Sequence, residues 1–160
     1  MISISTSFII LLIGFSVIYL TNYLVVKHRN RKYDKKEVIN NSMGTILIIF
    51  GLLKIINLTQ FVDIFQKYDI ISKKITIYAY LYPFIEIILG LSLIFKYKLK
   101  IINSIIIISM LINIISVSIT LSQGQKLRCG CLGSFLHIPL SYVTLSENII
   151  MLFMSTYTLI

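Results

Sequence analysis

Five long apolar runs dominate the chain, and its charged residues cluster in the segments between them. The runs cover approximately residues 7–26, 43–58, 75–95, 101–121 and 141–160. Each approaches the length of about 20 residues with which an α-helix crosses the hydrocarbon core of a bilayer. A soluble helical protein would instead spread its charges along one face of every helix. The sequence therefore predicts an all-α, polytopic bundle of membrane helices.

The composition agrees with a lipid environment, because 57% of the residues are hydrophobic and only 13% are charged. In a typical soluble domain about 45–50% of the residues are apolar and about 25% are charged. The first apolar run has the position of a secretory signal peptide, but no basic segment precedes it and a basic cluster follows it. We therefore expect this run to be a retained transmembrane helix.

The basic residues indicate an orientation, since lysine and arginine of short loops are held on the cytoplasmic side. The two loops that must share one side of a five-span bundle contain nine basic residues: Lys27, Arg29, Arg31, Lys32, Lys35, Lys36, Lys96, Lys98 and Lys100. The opposite loops contain five: Lys67, Lys73, Lys74, Lys126 and Arg128. This count predicts an N-terminus outside the plasma membrane and an extracytoplasmic loop before the last span. The net charge of +9 then reflects topology, and we expect no nucleic-acid partner.

The outer loop over residues 57–74 contains the sequence FVDIFQKY, whose apolar residues fall on one face at helical spacing: Phe61, Ile64, Phe65 and Tyr68. This pattern predicts a short helix that lies on the outer leaflet with its apolar face among the lipid headgroups. A docking surface for a partner protein is the alternative. Three tyrosines at the start of the third run, Tyr78, Tyr80 and Tyr82, are typical of an interfacial aromatic belt.

Three charged side chains occur inside the apolar runs, and two of them lie in neighbouring runs: Lys54 in the second run and Glu86 about one turn after Pro83 in the third. Because a charge within the membrane is costly, we expect both to face the bundle and to pair with each other. Such a pair could fix the register of two helices, or it could handle protons or tune a redox group. Glu147 and Asn148 in the last run should make interhelical hydrogen bonds.

The only two cysteines of the chain, Cys129 and Cys131, are separated by one residue in the loop before the last run. In an oxidising compartment such a pair favours a disulfide. Their Cα atoms come within the bonding range of about 6.8 Å only if the chain turns, and Gly130 permits that turn. So small a ring recovers little loop-closure entropy and holds strain, which is typical of labile or catalytic disulfides.

The neighbours of the cysteines favour the same interpretation. The cation of Arg128 should favour the thiolate of Cys129, so we predict that Cys129 attacks and Cys131 resolves. His137 is either a proton carrier beside the thiols or an interfacial histidine without a role. A metal-handling loop is the alternative, but zinc usually requires four ligands and the loop offers little beyond two thiols and one imidazole. We therefore expect no metal.

Four motifs, GLLKI, YPFIEIILG, CGCLG and PLSYVTLSENI, follow one another from near residue 42 to the end of the chain. In order and spacing they resemble the MauE family of methylamine-utilisation proteins, which belongs with the DoxX-like membrane proteins. The positions that carry the resemblance are Lys54, Pro83, Glu86, Cys129, Gly130, Cys131, Gly133, Pro139 and Asn148. The resemblance implies a four-helix membrane domain over residues 42–160, preceded in residues 1–41 by an extra transmembrane helix and a basic cytoplasmic loop.

The resemblance also implies a function, since family members are associated with thioredoxin-like partners and with disulfides of exported proteins. We therefore predict a membrane thiol-disulfide relay that acts with a thioredoxin-like or exported disulfide-containing protein during its maturation. Bundles that pass electrons from thiols to a quinone need a second cysteine pair, which this chain lacks, so we expect no cofactor. A non-catalytic accessory, assembly or immunity protein that docks through FVDIFQKY is the alternative function.

Overall fold

The structure, a computed structural model, describes residues 4–29, 34–123 and 140–160, and every regular element in these ranges is a helix. The helices are α1 (Ile4–Arg29), α2 (Lys35–Ile56), α3 (Leu58–Tyr68), α4 (Thr76–Ile94), α5 (Leu99–Ser122) and α6 (Leu140–Leu159). Within the described ranges, α2, α4 and α5 are long and apolar enough to cross a membrane, and Leu12–His28 of α1 is a shorter apolar stretch. The predicted all-α membrane bundle is confirmed.

Helix α2 is longer than the apolar run that predicts it, because it begins at Lys35 rather than near residue 43. The side chain of Asp34 caps its N-terminus by accepting a 3.0 Å hydrogen bond from the backbone N–H of Lys36. The first turns contain polar residues, among them Asn40 and Ser42, which are nevertheless buried. Ser42 donates to the carbonyl of Val38 one turn earlier, so its hydroxyl is satisfied inside the helix. A hydropathy criterion cannot recognise such turns as part of a span.

Helices α2 and α4 are antiparallel neighbours that approach closely where both have small residues. A Cβ atom added at Gly44 would lie 2.6 Å from the carbonyl oxygen of Gly90, and one added at Gly90 would lie 2.6 Å from that of Gly44. Seven residues further along α2, a Cβ atom at Gly51 would lie 2.9 Å from the carbonyl oxygen of Pro83. Small residues at such a contact let two helix backbones meet in lipid, where apolar surface alone gives no attraction.

The core has two parts that meet in the middle of the bundle. The first part is largely aromatic and lies where α3 packs against α4 and α5: Phe61, Val62, Phe65, Tyr68, Ala79, Tyr82 and Val117. The second part is aliphatic and sulfur-rich and fills the other half: Met43, Ile46, Leu47, Leu89, Leu93, Ile102, Ile106, Met110 and Met151. The outer faces of α2, α4 and α5 instead expose residues such as Leu52, Ile88 and Ile115. Exposed apolar faces of this kind suit a lipid environment.

Helix α3 corrects two predictions. It exists as the pattern in FVDIFQKY predicts, but Phe61 and Phe65 are only 2% and 1% exposed, so its apolar face packs into the bundle rather than among headgroups. The same burial contradicts a docking surface formed by these rings. Tyr82 is also buried, so it belongs to the core rather than to an interfacial belt, whereas Tyr80 is exposed. Aromatic rings at helical spacing specify an apolar face, and the tertiary fold decides what covers it.

The two basic segments meet at one end of the bundle, here called the basic end. The Lys96 ammonium, in the turn after α4, lies 3.0 Å from a carboxylate oxygen of Glu37 near the start of α2. The other end is called the α3 end, and there the backbone N–H of Ile70 donates a 3.3 Å hydrogen bond to the hydroxyl of Ser116 on α5. The fold thus brings together the basic segments that the charge count assigns to one side.

The glycine contact predicts an asymmetric response to added methyl groups. Gly90→Ala should lower the free energy of unfolding by about 1–3 kcal/mol, because the new methyl overlaps the backbone of α2. Gly14→Ala on α1 is the matched control, since a Cβ atom there meets nothing within 4 Å. Thermal unfolding in detergent, followed by circular dichroism, compares the two variants. Equal stability of both would contradict the close α2–α4 contact.

Candidate functional site

A buried ion pair joins α2 to α4. The Lys54 ammonium lies 2.5 Å and 2.6 Å from the two carboxylate oxygens of Glu86, and both side chains are 8% exposed. The pairing that the sequence predicts is therefore present. Lys54 stands in the last turn of α2, and its stem carries the charge back into the bundle. A desolvated pair of this kind requires further polar or aromatic contacts to offset the loss of water.

Aromatic rings supply part of that compensation. The Lys54 ammonium lies 4.9 Å from the ring centre of Tyr82 and 5.5 Å from that of Phe61, within the range of cation–π attraction. These rings belong to a larger stack, in which the ring centres of Phe65 and Tyr82 are 4.8 Å apart and those of Phe61 and Phe65 are 5.0 Å apart. Helix α3 therefore covers the ion pair with aromatic surface.

Helix periodicity places Tyr82 beside Glu86, because residues four apart on α4 share one face. The hydroxyl oxygen of Tyr82 accepts a 2.6 Å hydrogen bond from the Nδ2 amide of Asn113 on α5. Both partners are buried, so the bond fixes the position of the ring that lies against Lys54. The charged pair is in this way connected to a third transmembrane segment.

Helix α6 completes the site. Thr144, Glu147 and Asn148 are buried and line a cavity of about 30 Å³ together with Lys54 and Glu86. Such a volume has room for a single water molecule, and its walls offer several polar atoms. We call Lys54, Tyr82, Glu86, Asn113 and Glu147 the polar cluster. Helices α2, α4, α5 and α6 each contribute to it, and Phe65 and Tyr68 of α3 lie over it.

A tight turn fixes α3 above the polar cluster. Asp69 is fully buried, and its Oδ1 atom accepts hydrogen bonds from the backbone N–H groups of Ser72 at 2.7 Å and Ile71 at 3.1 Å. The hydroxyl of Ser72 in turn donates to the carbonyl oxygen of Phe65 at 3.1 Å. Since these bonds are local, the turn holds its shape and returns the chain directly to α4.

The sequence predicts Lys54 and Glu86 but misses three members of the cluster. The sequence predicts an interfacial position for Tyr82 and interhelical hydrogen bonds for Glu147, and it predicts no role for Asn113. The sequence does contain a signal for Glu147 and Asn113, because a carboxyl group and an amide within apolar runs should face other helices. Which helix they face depends on how the helices are arranged side by side. The residue pattern of a single span does not contain that information.

The remaining predicted site residues lie outside the described residues, in segment 124–139: Arg128, Cys129, Gly130, Cys131, Gly133, His137 and Pro139. The structure describes the elements that flank them, namely the end of α5 at Gln123 and the start of α6 at Leu140. Within the described ranges, no group of three or more His, Cys, Asp and Glu side chains is placed to hold a metal ion.

The fold and the cluster define a multi-pass helical membrane protein with a buried charged site near one end. The family model of methylamine utilisation protein MauE matches residues 36–160, from the first turn of α2 to the end of the chain. The chain belongs to the MauE family. No curated protein and no solved structure gives a significant match. Helix α1 precedes the matched region and packs against α2 and α6.

The ion pair predicts a pattern of stabilities that a double-mutant cycle can measure. Lys54→Met or Glu86→Leu alone should each lower the free energy of unfolding by about 3–5 kcal/mol, because the remaining partner is a buried unpaired charge. The double variant should recover most of this loss, since two apolar side chains replace the pair. Chemical unfolding in detergent gives the values.

The ion pair between Lys96 and Glu37 at the basic end is the matched control. Lys96 is half-exposed, so Lys96→Met should cost no more than about 1 kcal/mol. Single variants at Lys54 and Glu86 that are as stable as Lys96→Met would contradict a desolvated pair that requires both of its charges.

Proposed function

We propose that the protein is a membrane thiol-disulfide relay whose loop between α5 and α6 exchanges disulfides with a thioredoxin-like or exported protein during maturation of that protein. The observation that carries the proposal is the placement of both cysteines of the chain, one residue apart, in a single loop of the MauE-matched region. Structural disulfides link distant segments, whereas a pair this close constrains little and suits exchange.

The exchange has two steps in this proposal. The Cys129 thiolate attacks a disulfide of the partner, which forms a mixed disulfide and releases one partner thiolate. The thiolate of Cys131 then attacks the Cys129 sulfur, so the partner leaves as a dithiol and the loop becomes the disulfide. Two electrons pass from the loop to the partner, and the reverse sequence passes a disulfide to the partner instead. Arg128 stabilises the thiolate of Cys129, which attacks in the first direction and leaves in the reverse one.

The described helices support this role through their position. Val117 on α5 lines the cavity and lies about 9 Å along the helix from Gln123, where the loop begins. Thr144 on α6 lines the same cavity and lies about 6 Å from Leu140, where the loop ends. Both helices that flank the loop therefore reach the cavity of the polar cluster within two turns of the loop. We assign Lys54 and Glu86 the task of positioning these helices, and His137 that of carrying protons to the departing thiolates.

The accessory function is the second candidate, and the described residues weaken it. Its predicted docking surface is the apolar face of α3, but Phe61 and Phe65 are only 2% and 1% exposed and pack in the core. Substitution of these rings should therefore reduce stability rather than the affinity for a partner. The proposed relay does not depend on this face.

Thiol trapping tests the relay. In intact cells, a membrane-impermeant maleimide should label Cys129 and Cys131 only after reduction, because the loop holds a disulfide in an oxidising compartment. Cys131→Ser should accumulate a mixed disulfide between Cys129 and a partner that a reducing agent releases. Cys129→Ser is the matched control and should accumulate none. Labelling without prior reduction, together with full maturation of the partner in both serine variants, would favour the accessory function.

Topology is testable independently of redox chemistry. In a Cys129→Ser/Cys131→Ser background, Lys73→Cys between α3 and α4 should react with the impermeant maleimide in intact cells. Lys35→Cys at the basic end should react only after permeabilisation, because basic loops are held in the cytoplasm. Both positions are exposed, so the comparison is matched. The reverse pattern would place the cysteine loop in the cytoplasm and overturn the proposed function.

A further inference from the structure

A second polar cavity lies at the basic end, far from the polar cluster. Its volume is about 330 Å³, and it opens between the first turns of α2 and α5 and the last turn of α6. Its lining includes Lys36, Asn41, Lys96, Lys100, Asn103 and Thr158. The space is about ten times larger than a single water molecule requires, so it can hold a small polar group.

Lysine side chains outnumber carboxylate side chains on the rim of this cavity by three to two. Lys96 is paired with Glu37, and the carboxylate of Asp34 accepts the backbone N–H of Lys36. The exposed ammonium groups of Lys36 and Lys100 have no ion-pair partner among the described residues. The rim therefore carries an excess of one positive side-chain charge.

The start of α5 adds to the positive potential. Leu99 and Lys100, the first residues of α5, line the cavity, and the residue before them, Lys98, provides no side-chain cap. The first backbone N–H groups of a helix have no partner within the helix and attract anions. A phosphate oxygen in the cavity would satisfy them while it neutralises the lysines.

The floor of the cavity is built from amides and hydroxyls. The Nδ2 group of Asn103 donates a 3.3 Å hydrogen bond to the side-chain oxygen of Asn40, and the hydroxyl of Thr158 donates a 3.1 Å hydrogen bond to that of Asn103. The side-chain oxygen of Asn41 is buried and accepts no hydrogen bond from a described residue. A buried acceptor of this kind favours a ligand that also carries a donor, such as a hydroxyl group.

We propose that this cavity binds the phosphodiester headgroup of an anionic phospholipid from the adjacent leaflet. The site lies at the ends of three helices, and therefore at the depth of the headgroups. Exposed apolar residues next to its lining, Phe95 and Ile101, offer a surface for the acyl chains. Basic pockets between transmembrane helices are known to bind such headgroups, and phosphatidylglycerol would supply both the phosphate and the hydroxyl donors.

Native mass spectrometry of the full chain in neutral detergent tests the proposal. With equimolar phosphatidylglycerol and phosphatidylcholine, the protein should retain the anionic lipid. Lys36→Gln/Lys100→Gln should weaken its binding about 30-fold, since each surface cation contributes ~1 kcal/mol and 1.4 kcal/mol is tenfold. Lys35→Gln/Lys98→Gln is the matched control, because it removes the same charge from the same end without altering the lining, and it should change binding less than about threefold.

Three results would overturn the proposal. Equal losses in the two double variants would show a general surface potential rather than a site. No preference of the unmodified chain for phosphatidylglycerol would show that no anionic headgroup binds. Displacement of the lipid by millimolar inorganic phosphate, with phosphate bound in its place, would identify a soluble anion as the ligand.

Discussion

The ion pair of Lys54 and Glu86 is the interaction on which the rest of the bundle depends. Each charge removed from water costs several kcal/mol, so the surrounding helices must compensate both. The close approach of the two backbones at Gly44 and Gly90 brings α2 and α4 near enough for the Lys54 side chain to reach Glu86. Helix α3 covers the ammonium with aromatic rings, and α5 and α6 place further polar side chains around it. In lipid, where apolar helix faces have little preference for one another, this polar locus contributes to the register of the helices that meet at it, together with the hydrogen bond between Asn103 and Asn40 at the basic end.

Much of the fold can be predicted from the sequence, because each membrane span must satisfy its own length and hydropathy. The helical regions follow from the apolar runs, and the meeting of the basic segments follows from the alternation of spans. The errors have one cause. Helix α2 begins two turns before its apolar run because the side-chain oxygen of Asn40 accepts a hydrogen bond from Asn103 on α5, and the rings of α3 face inward because α4 and α5 cover them. Both facts concern neighbouring helices and cannot be seen in one segment.

The candidate site shows the same limit. Charged residues within apolar runs are rare, so the sequence offers Lys54 and Glu86 few other candidate partners. Their pairing can therefore be predicted. Glu147, Tyr82 and Asn113 are also polar residues within apolar runs. Their membership in the cluster depends on which helices pack against each other. The order of the helices around the pair determines that α6 completes the cavity while α1 remains on the outside. Sequence thus predicts that a polar site exists, and the packing determines its composition.

The two ends of the bundle are separated by an apolar layer, which constrains how the proposed relay can work. Asn40 and Lys54 lie about 21 Å apart along α2, and beyond Ser42 the buried side chains between them are Met43, Ile46 and Leu47. Moving a charge through this layer would be costly. Protons for thiol exchange must then come from the side on which the loop lies. With only one cysteine pair in the chain, the same holds for electrons, so the protein that renews the loop must meet it on that side of the membrane.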